Sequence, residues 1–209
     1  MPSPEAANHD ARNSLLQHNS GRWQGRFIRL DGHGQEQERF STLLTVQESN
    51  GMIQSCLTYC NSGQQRSMTF STLPHTMQVN KAGCWSLGPS SITPFHWVAE
   101  LCVVLARQRR RVIVRHGASG LDQVVYVCEA LAPSLPREPS KPLHCHKQPH
   151  GEFTIWQPEP GVQLLLDCRD RQSGDRSVCG MQWTAADGST AQILRCYDHQ
   201  GQLEELQHH

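Results

Sequence analysis

What this sequence lacks narrows it first. It has no apolar run near the ~20 residues a helix needs to cross a bilayer. Its opening, MPSPEAANHDARNS, has no cationic stretch followed by an apolar one, so no secretory leader is read there. It has no net charge, with 19 Lys and Arg against 19 Asp and Glu, and so no global pull toward nucleic acid or an anionic surface. G-x-S-x-G, a P-loop, H-E-x-x-H and G-x-G-x-x-G are all absent. These absences lead us to expect a soluble, cytoplasmic chain without a catalytic signature.

Cysteine is plentiful but unpaired in pattern. The nine cysteines form no C-x-x-C, and the odd number argues against a disulfide framework. Most sit inside strand-like apolar runs, where a thiol packs as a small hydrophobe.

Residues 1–13 are polar and are expected to be disordered, with a short helical turn over Ser14–His18. The closing His208-His209 reads as a tail. From Gly21 the pattern becomes that of strands, with alternating runs broken by Asp31-Gly32-His33-Gly34, Ser49-Asn50-Gly51, Asn61-Ser62-Gly63, Lys81-Ala82-Gly83 and Gly88-Pro89. Glu38–Gln47 puts Phe40, Thr42, Leu44 and Val46 on one face, and Ile53–Cys60 does the same for Ile53, Ser55, Leu57 and Tyr59. Trp97–Leu105 is apolar on both faces. Arg111–Arg115 and Gln123–Leu131 complete a set joined by short turns. Sequential hairpins predict an all-β, antiparallel, up-and-down barrel over residues 14–131. A sandwich is the alternative. Residues 132–150 hold five prolines and read as a linker or surface arm. More strand-like runs follow over 151–209, predicting an additional antiparallel sheet packed on the barrel.

The first strand carries a resemblance. Gly21-x-Trp23 looks like the lipocalin signature, in which the tryptophan closes one end of the barrel and an arginine from a late strand packs on it. The longer run from Gly21 to Gly34, G-x-W-x-G-x-F-x-R-x-D-x-x-G, resembles an uncharacterised calycin-like family of cyanobacteria. Trp85-Ser86-Leu87-Gly88-Pro89 and Ala99-Glu100-Leu101-Cys102 extend that likeness. The resemblance implies a lipocalin-like barrel and a distant fold relation to phycobilin lyases. The strand motifs of those lyases are missing, and kinship of fold does not carry an activity.

Candidate site residues follow from the strand faces. Trp23, Gly25, Phe27 and Arg29 share a face, with Arg29 about 20 Å from Trp23 at 3.3 Å per residue. An inward Arg29 near the mouth is able to hold a tetrapyrrole propionate or a fatty-acid carboxylate. The alternatives are an internal pair with Glu100 or Glu129, or a rim position in water. Trp85, Trp97 and Tyr126 either line a pocket or belong to the core. The candidate ligand-binding set is therefore Trp23, Phe27, Arg29, Tyr59, Trp85, Trp97, Glu100 and Tyr126. If the barrel is catalytic, Cys102, Glu100 or Glu129 would supply the reacting group of a lyase or isomerase. His144-Cys145-His146 with His150 has the residue types of a metal site but reads as a solvated linker. Arg107–Arg111 reads as a solvated hairpin tip.

The expected function is binding of a small hydrophobic or amphipathic ligand, with a bilin suggested by the resemblance. An enzyme acting on such a ligand and a filled interaction scaffold are the alternatives. A phycobiliprotein or another protein is the partner implied. No nucleic acid partner and no certain cofactor or metal are expected.

Overall fold

The structure is a computed structural model and describes residues 4–93 and 96–206, with side chains from residue 8 onward. Residues 1–3 and His208-His209 lie outside the described residues. A helix, α1 (Pro4–Asn19), precedes nine strands of one antiparallel sheet. These are β1 (Gly21–Asp31), β2 (Glu36–Ser49), β3 (Met52–Tyr59), β4 (Gln65–Phe70), β5 (Met77–Val79), β6 (Trp85–Leu87), β7 (Trp97–Leu105), β8 (Gln108–Gly117) and β9 (Gly120–Leu131). The expected disorder of residues 4–13 is thus corrected. Leu15 is buried and Leu16 packs beside it, so the helix has a core contact that composition alone does not reveal.

The order across this sheet is β4-β3-β2-β1-β9-β8-β7-β6-β5. Each strand follows its hairpin partner, and β1 pairs β9 as closure of an up-and-down barrel requires. The sheet curls, but the ladder is interrupted between β4 and β5. Leu73, in the connection between those strands, is buried there with Leu15 and Ile53. Arg12 of α1 holds the same region, donating to the main-chain oxygens of Ser71 at 3.0 Å and Gly51 at 2.9 Å.

Residues 132–145 run along the outer face of β1 and β2. Glu138 accepts from Arg26 at 3.1 Å and from Arg39 at 2.9 Å, while the Leu143 N–H donates to Glu36 at 2.6 Å. The proline-rich segment is shorter than the sequence suggests. Its last residues form an edge strand, β10 (His146–His150), where Pro149 is tolerated because an edge strand needs only one ladder.

A second antiparallel sheet then forms in simple order from β10, β11 (Phe153–Gln157), β12 (Val162–Leu166), β13 (Ser177–Thr184) and β14 (Thr190–Tyr197). Residues 202–206, at the end of the strand-like stretch over 151–209, make only isolated bridges, Gln202 to Ser91 and Leu203 to Tyr197. Sheet two packs on the convex face of sheet one. Trp156, Leu164, Met181, Trp183 and Ile193 bury against Ile28, Leu101, Val112, Val124 and Tyr126. This explains β7. Leu101 and Val103 meet sheet two, while Cys102 and Val104 face the concave side, so both faces are apolar.

Among the described residues, no helix is long and apolar enough to cross a membrane. All nine cysteines are free thiols, and Cys84, Cys102, Cys128 and Cys179 are buried.

Candidate functional site

The concave face of sheet one is built in rungs set by strand register. The lowest rung aligns Leu57, Leu44, Trp23 and Leu131. The next aligns Tyr59, Thr42, Gly25, Glu129 and Arg109. Above it come Phe40, Phe27, Val127, Arg111, Cys102 and Trp85. The rim rung holds Glu38, Arg29, Val125, Ile113, Glu100 and Leu87.

The base is filled. The Arg109 guanidinium lies 4.2 Å from the Trp23 ring centroid, a cation–π contact in a buried setting. Asn19, the last residue of α1, ties this base together. Its Oδ1 accepts from Trp85 Nε1 and Arg109 Nη1, both at 3.2 Å, and from the Cys102 thiol at 3.9 Å. Its Nδ2 donates to the Leu15 and Gly83 carbonyls at 3.1 and 2.9 Å. Its main-chain oxygen accepts from Trp23 Nε1 at 2.9 Å.

Above the base lies a buried charge ladder. Glu129, fully buried, accepts from Arg109 Nε at 2.5 Å and from Arg111 Nε and Nη2 at 2.9 Å. Burial pushes the Glu129 carboxyl up, but the two guanidinium groups outweigh it and hold the group below its ordinary range. Arg111 continues outward to Glu100, which keeps partial solvent access. Gly25 makes room for this ladder. A Cβ there would lie 2.5 Å from Thr42 Oγ1 and 3.2 Å from Glu129 Cγ.

The upper half has a different character. Phe27, Phe40 and Tyr59 form a cluster with centroid separations of 5.5, 5.7 and 6.4 Å. Phe40, Tyr59, Ile113 and Val125 are part-exposed, and Val98 is 42% exposed. Arg66 lies over Tyr59 at 5.7 Å, and Arg111 lies over Phe27 at 5.3 Å.

Of the predicted set, Trp23, Phe27, Tyr59, Trp85 and Glu100 share the concave face. Arg29 sits at the rim, pairing Glu38 at 2.7 Å with both side chains nearly half exposed. Trp97 and Tyr126 are corrections, because both lie on the convex face in the core between sheets. Trp97 stacks on His116 at 4.1 Å, and the Tyr126 hydroxyl donates to Glu159 at 2.6 Å. The solvated-tip reading also fails for Arg109, Arg110 and Arg111, which are buried. The turn is only Ala106-Arg107, with Ala106 at φ 52°, and β8 begins immediately after it. Of the groups named for catalysis, Cys102 is fully buried, and desolvation raises its thiol well above the usual range.

Sequence reasoning missed Asn19, Phe40, Arg109 and Arg111. The period-two spacing of Arg109, Arg111 and Ile113 was the available signal. His144 and His146 are exposed, whereas Cys145 turns toward the core and burial raises its thiol to about 12. No three His, Cys, Asp or Glu side chains converge as metal ligands among the described residues.

Residues 9–134 match the family described as "Domain of unknown function (DUF3598), N-terminal". The chain belongs to the DUF3598 family. The fold of this DUF3598 protein is similar to that of a family protein of unknown function from Nostoc punctiforme PCC 73102, solved by crystallography. The two share 15% identity and a TM-score of 0.74 over 92% of this chain and 95% of that one. No curated protein matches the chain.

Proposed function

We propose that the upper concave face of this DUF3598 protein binds a small amphipathic ligand carrying a carboxylate, in the manner of calycin barrels. One observation carries the reading. The rungs change upward from a filled, tightly paired base to an aromatic cluster, buried Phe27 with part-exposed Phe40 and Tyr59, beside the Glu100–Arg111 pair. A sheet that served only as a scaffold would gain from filling that half as it fills the base. Apolar concavities with a few placed polar groups are the usual form of ligand sites.

The apolar part of the ligand stacks on the three rings. Its carboxylate meets Arg66, an exposed guanidinium lying over the Tyr59 ring, whose fork suits a bidentate pair. A linear tetrapyrrole has this combination of flat rings and propionates, and a fatty acid has a simpler version of it. The tryptophan closed over by arginine, Trp23 under Arg109, supports the calycin comparison.

The test is titration of the full chain with biliverdin, followed by tryptophan quenching, and with palmitate, followed by calorimetry. Saturable binding of either ligand is expected. Phe40→Ala with Tyr59→Ala weakens it about tenfold or more, on the scale of a lost aromatic anchor. Arg66→Gln weakens the acid but not its methyl ester. No saturation with either ligand, or binding indifferent to both aromatic changes, contradicts the reading and favours an interaction scaffold.

A further inference from the structure

A second concavity lies far from these rungs, on the face of sheet two that looks away from the core. It has a volume of about 380 Å³. Besides Glu159, its polar lining is His144, His146, Gln157, Gln163, Gln182 and Thr184. Register explains the grouping. His146 faces Gln157 across β10 and β11, and Gln163 faces Gln182 across β12 and β13. The amides form a row across the sheet, and all three are part or fully exposed to the pocket.

The walls are fixed before any ligand arrives. The β11–β12 turn, Pro158-Glu159-Pro160-Gly161, is pinned at two points. Glu159 accepts from Arg110 Nε at 2.5 Å and from the Tyr126 hydroxyl at 2.6 Å. The Thr184 N–H donates to the Gly161 carbonyl at 2.8 Å. Gly161 has φ +82°, and a Cβ there would lie 2.3 Å from the Thr184 oxygen, so only glycine fits. The opposite wall is held by the Cys145 N–H donating to the Gly34 carbonyl at 3.0 Å, with Cys145 itself packed inward.

The chemistry of the lining selects the ligand. Each glutamine offers both donors and an acceptor, which suits hydroxyl groups that need both. Among the described residues no lysine or arginine lines the pocket, and the Glu159 charge is already matched by Arg110. Pro158 and Pro160 add an apolar wall able to meet C–H faces. The volume lies at the small end of the roughly 300–1,000 Å³ of ligand sites. We propose that this pocket is a binding site for a neutral polyhydroxylated molecule, a mono- or disaccharide.

The test is ligand-observed NMR and calorimetry on the full chain with glucose, galactose, mannose, maltose and cellobiose at up to tens of millimolar. At least one sugar is expected to saturate. Gln163→Leu with Gln182→Leu, on an accessible face where folding tolerates change, weakens it about tenfold or more, because the sugar hydroxyls lose their partners. Gln182→Ala alone gives a smaller loss in the same direction. Tyr59→Ala, on the concave face of sheet one, leaves sugar binding unchanged. Three results overturn the proposal. One is no saturation with any of the five sugars. Another is saturation indifferent to the glutamine changes. The third is preferential binding of inorganic phosphate at pH 6, lost in His144→Ala with His146→Ala, which would make the pocket an anion site.

Discussion

Gly25 shows how one missing side chain sets the interior. It faces Thr42 on one side and Glu129 on the other, and the Thr42 hydroxyl occupies the space a Cβ would claim, with the Glu129 side chain close behind it. Gly25→Ala is expected to cost about 2 kcal/mol, as overpacking of a tight interior does. Thr42→Ala, which removes the nearest atom, should recover part of that loss in the double variant. Urea unfolding of the four proteins measures the coupling. His116 gives a second residue-level expectation. It is buried against Trp97, and burial drives its imidazole down from 6.5 to about 4, with Asp167 opposing and Arg171 reinforcing. The unfolded chain takes up this proton near pH 6.5 and the folded chain only near pH 4. Stability is therefore fully present above pH 6.5 and declines as pH falls toward 4, by about 1.4 kcal/mol per unit through this group. His116→Phe keeps an aromatic stack and should flatten that part of the pH profile.

At the scale of elements, α1 acts as the closure of the concave base. Its contribution rests less on helix propensity than on one terminal side chain. Asn19→Leu removes the acceptor of Trp85 and Arg109 and the donor to Gly83 while keeping apolar volume. A loss of about 2–3 kcal/mol is expected, since buried partners are left unpaired. Faster amide exchange in β6 and α1 would report the local loosening. The elements also show what the sequence made legible. Turn residues marked nearly every hairpin of sheet one, and alternation grouped Trp23 with Phe27 on β1 and Leu57 with Tyr59 on β3. The alternation could not orient Trp97 and Tyr126, because sheet two makes the convex face of β7 and β9 as apolar as the concave one. Arg109 and Arg111 were hidden for a related reason. A run of arginine looks solvated until register brings Glu129 between them. Pro149 concealed β10, and the polar surface of α1 concealed its few buried residues.

For the whole molecule, the convex face of sheet one is the floor of sheet two. One core spans Ile28 on β1 and Ile193 on β14, so the sheets should unfold together. Thiol labelling tests this. Exposed Cys60 and Cys168 are expected to react first, while Cys102 in sheet one and Cys179 in sheet two become reactive at the same denaturant concentration. Separate midpoints for those two buried thiols would mean the sheets are independent units.

In the proposed function the amphipathic ligand is received by the upper concave face, not by the base and not by the convex core. Amide and aromatic chemical-shift mapping during titration with biliverdin tests it most directly. Saturable shifts are expected at Phe27, Phe40, Tyr59, Val98 and Glu100, with Trp156, Trp183 and the pocket of sheet two unmoved. Shifts confined to sheet two, or none anywhere, would contradict it.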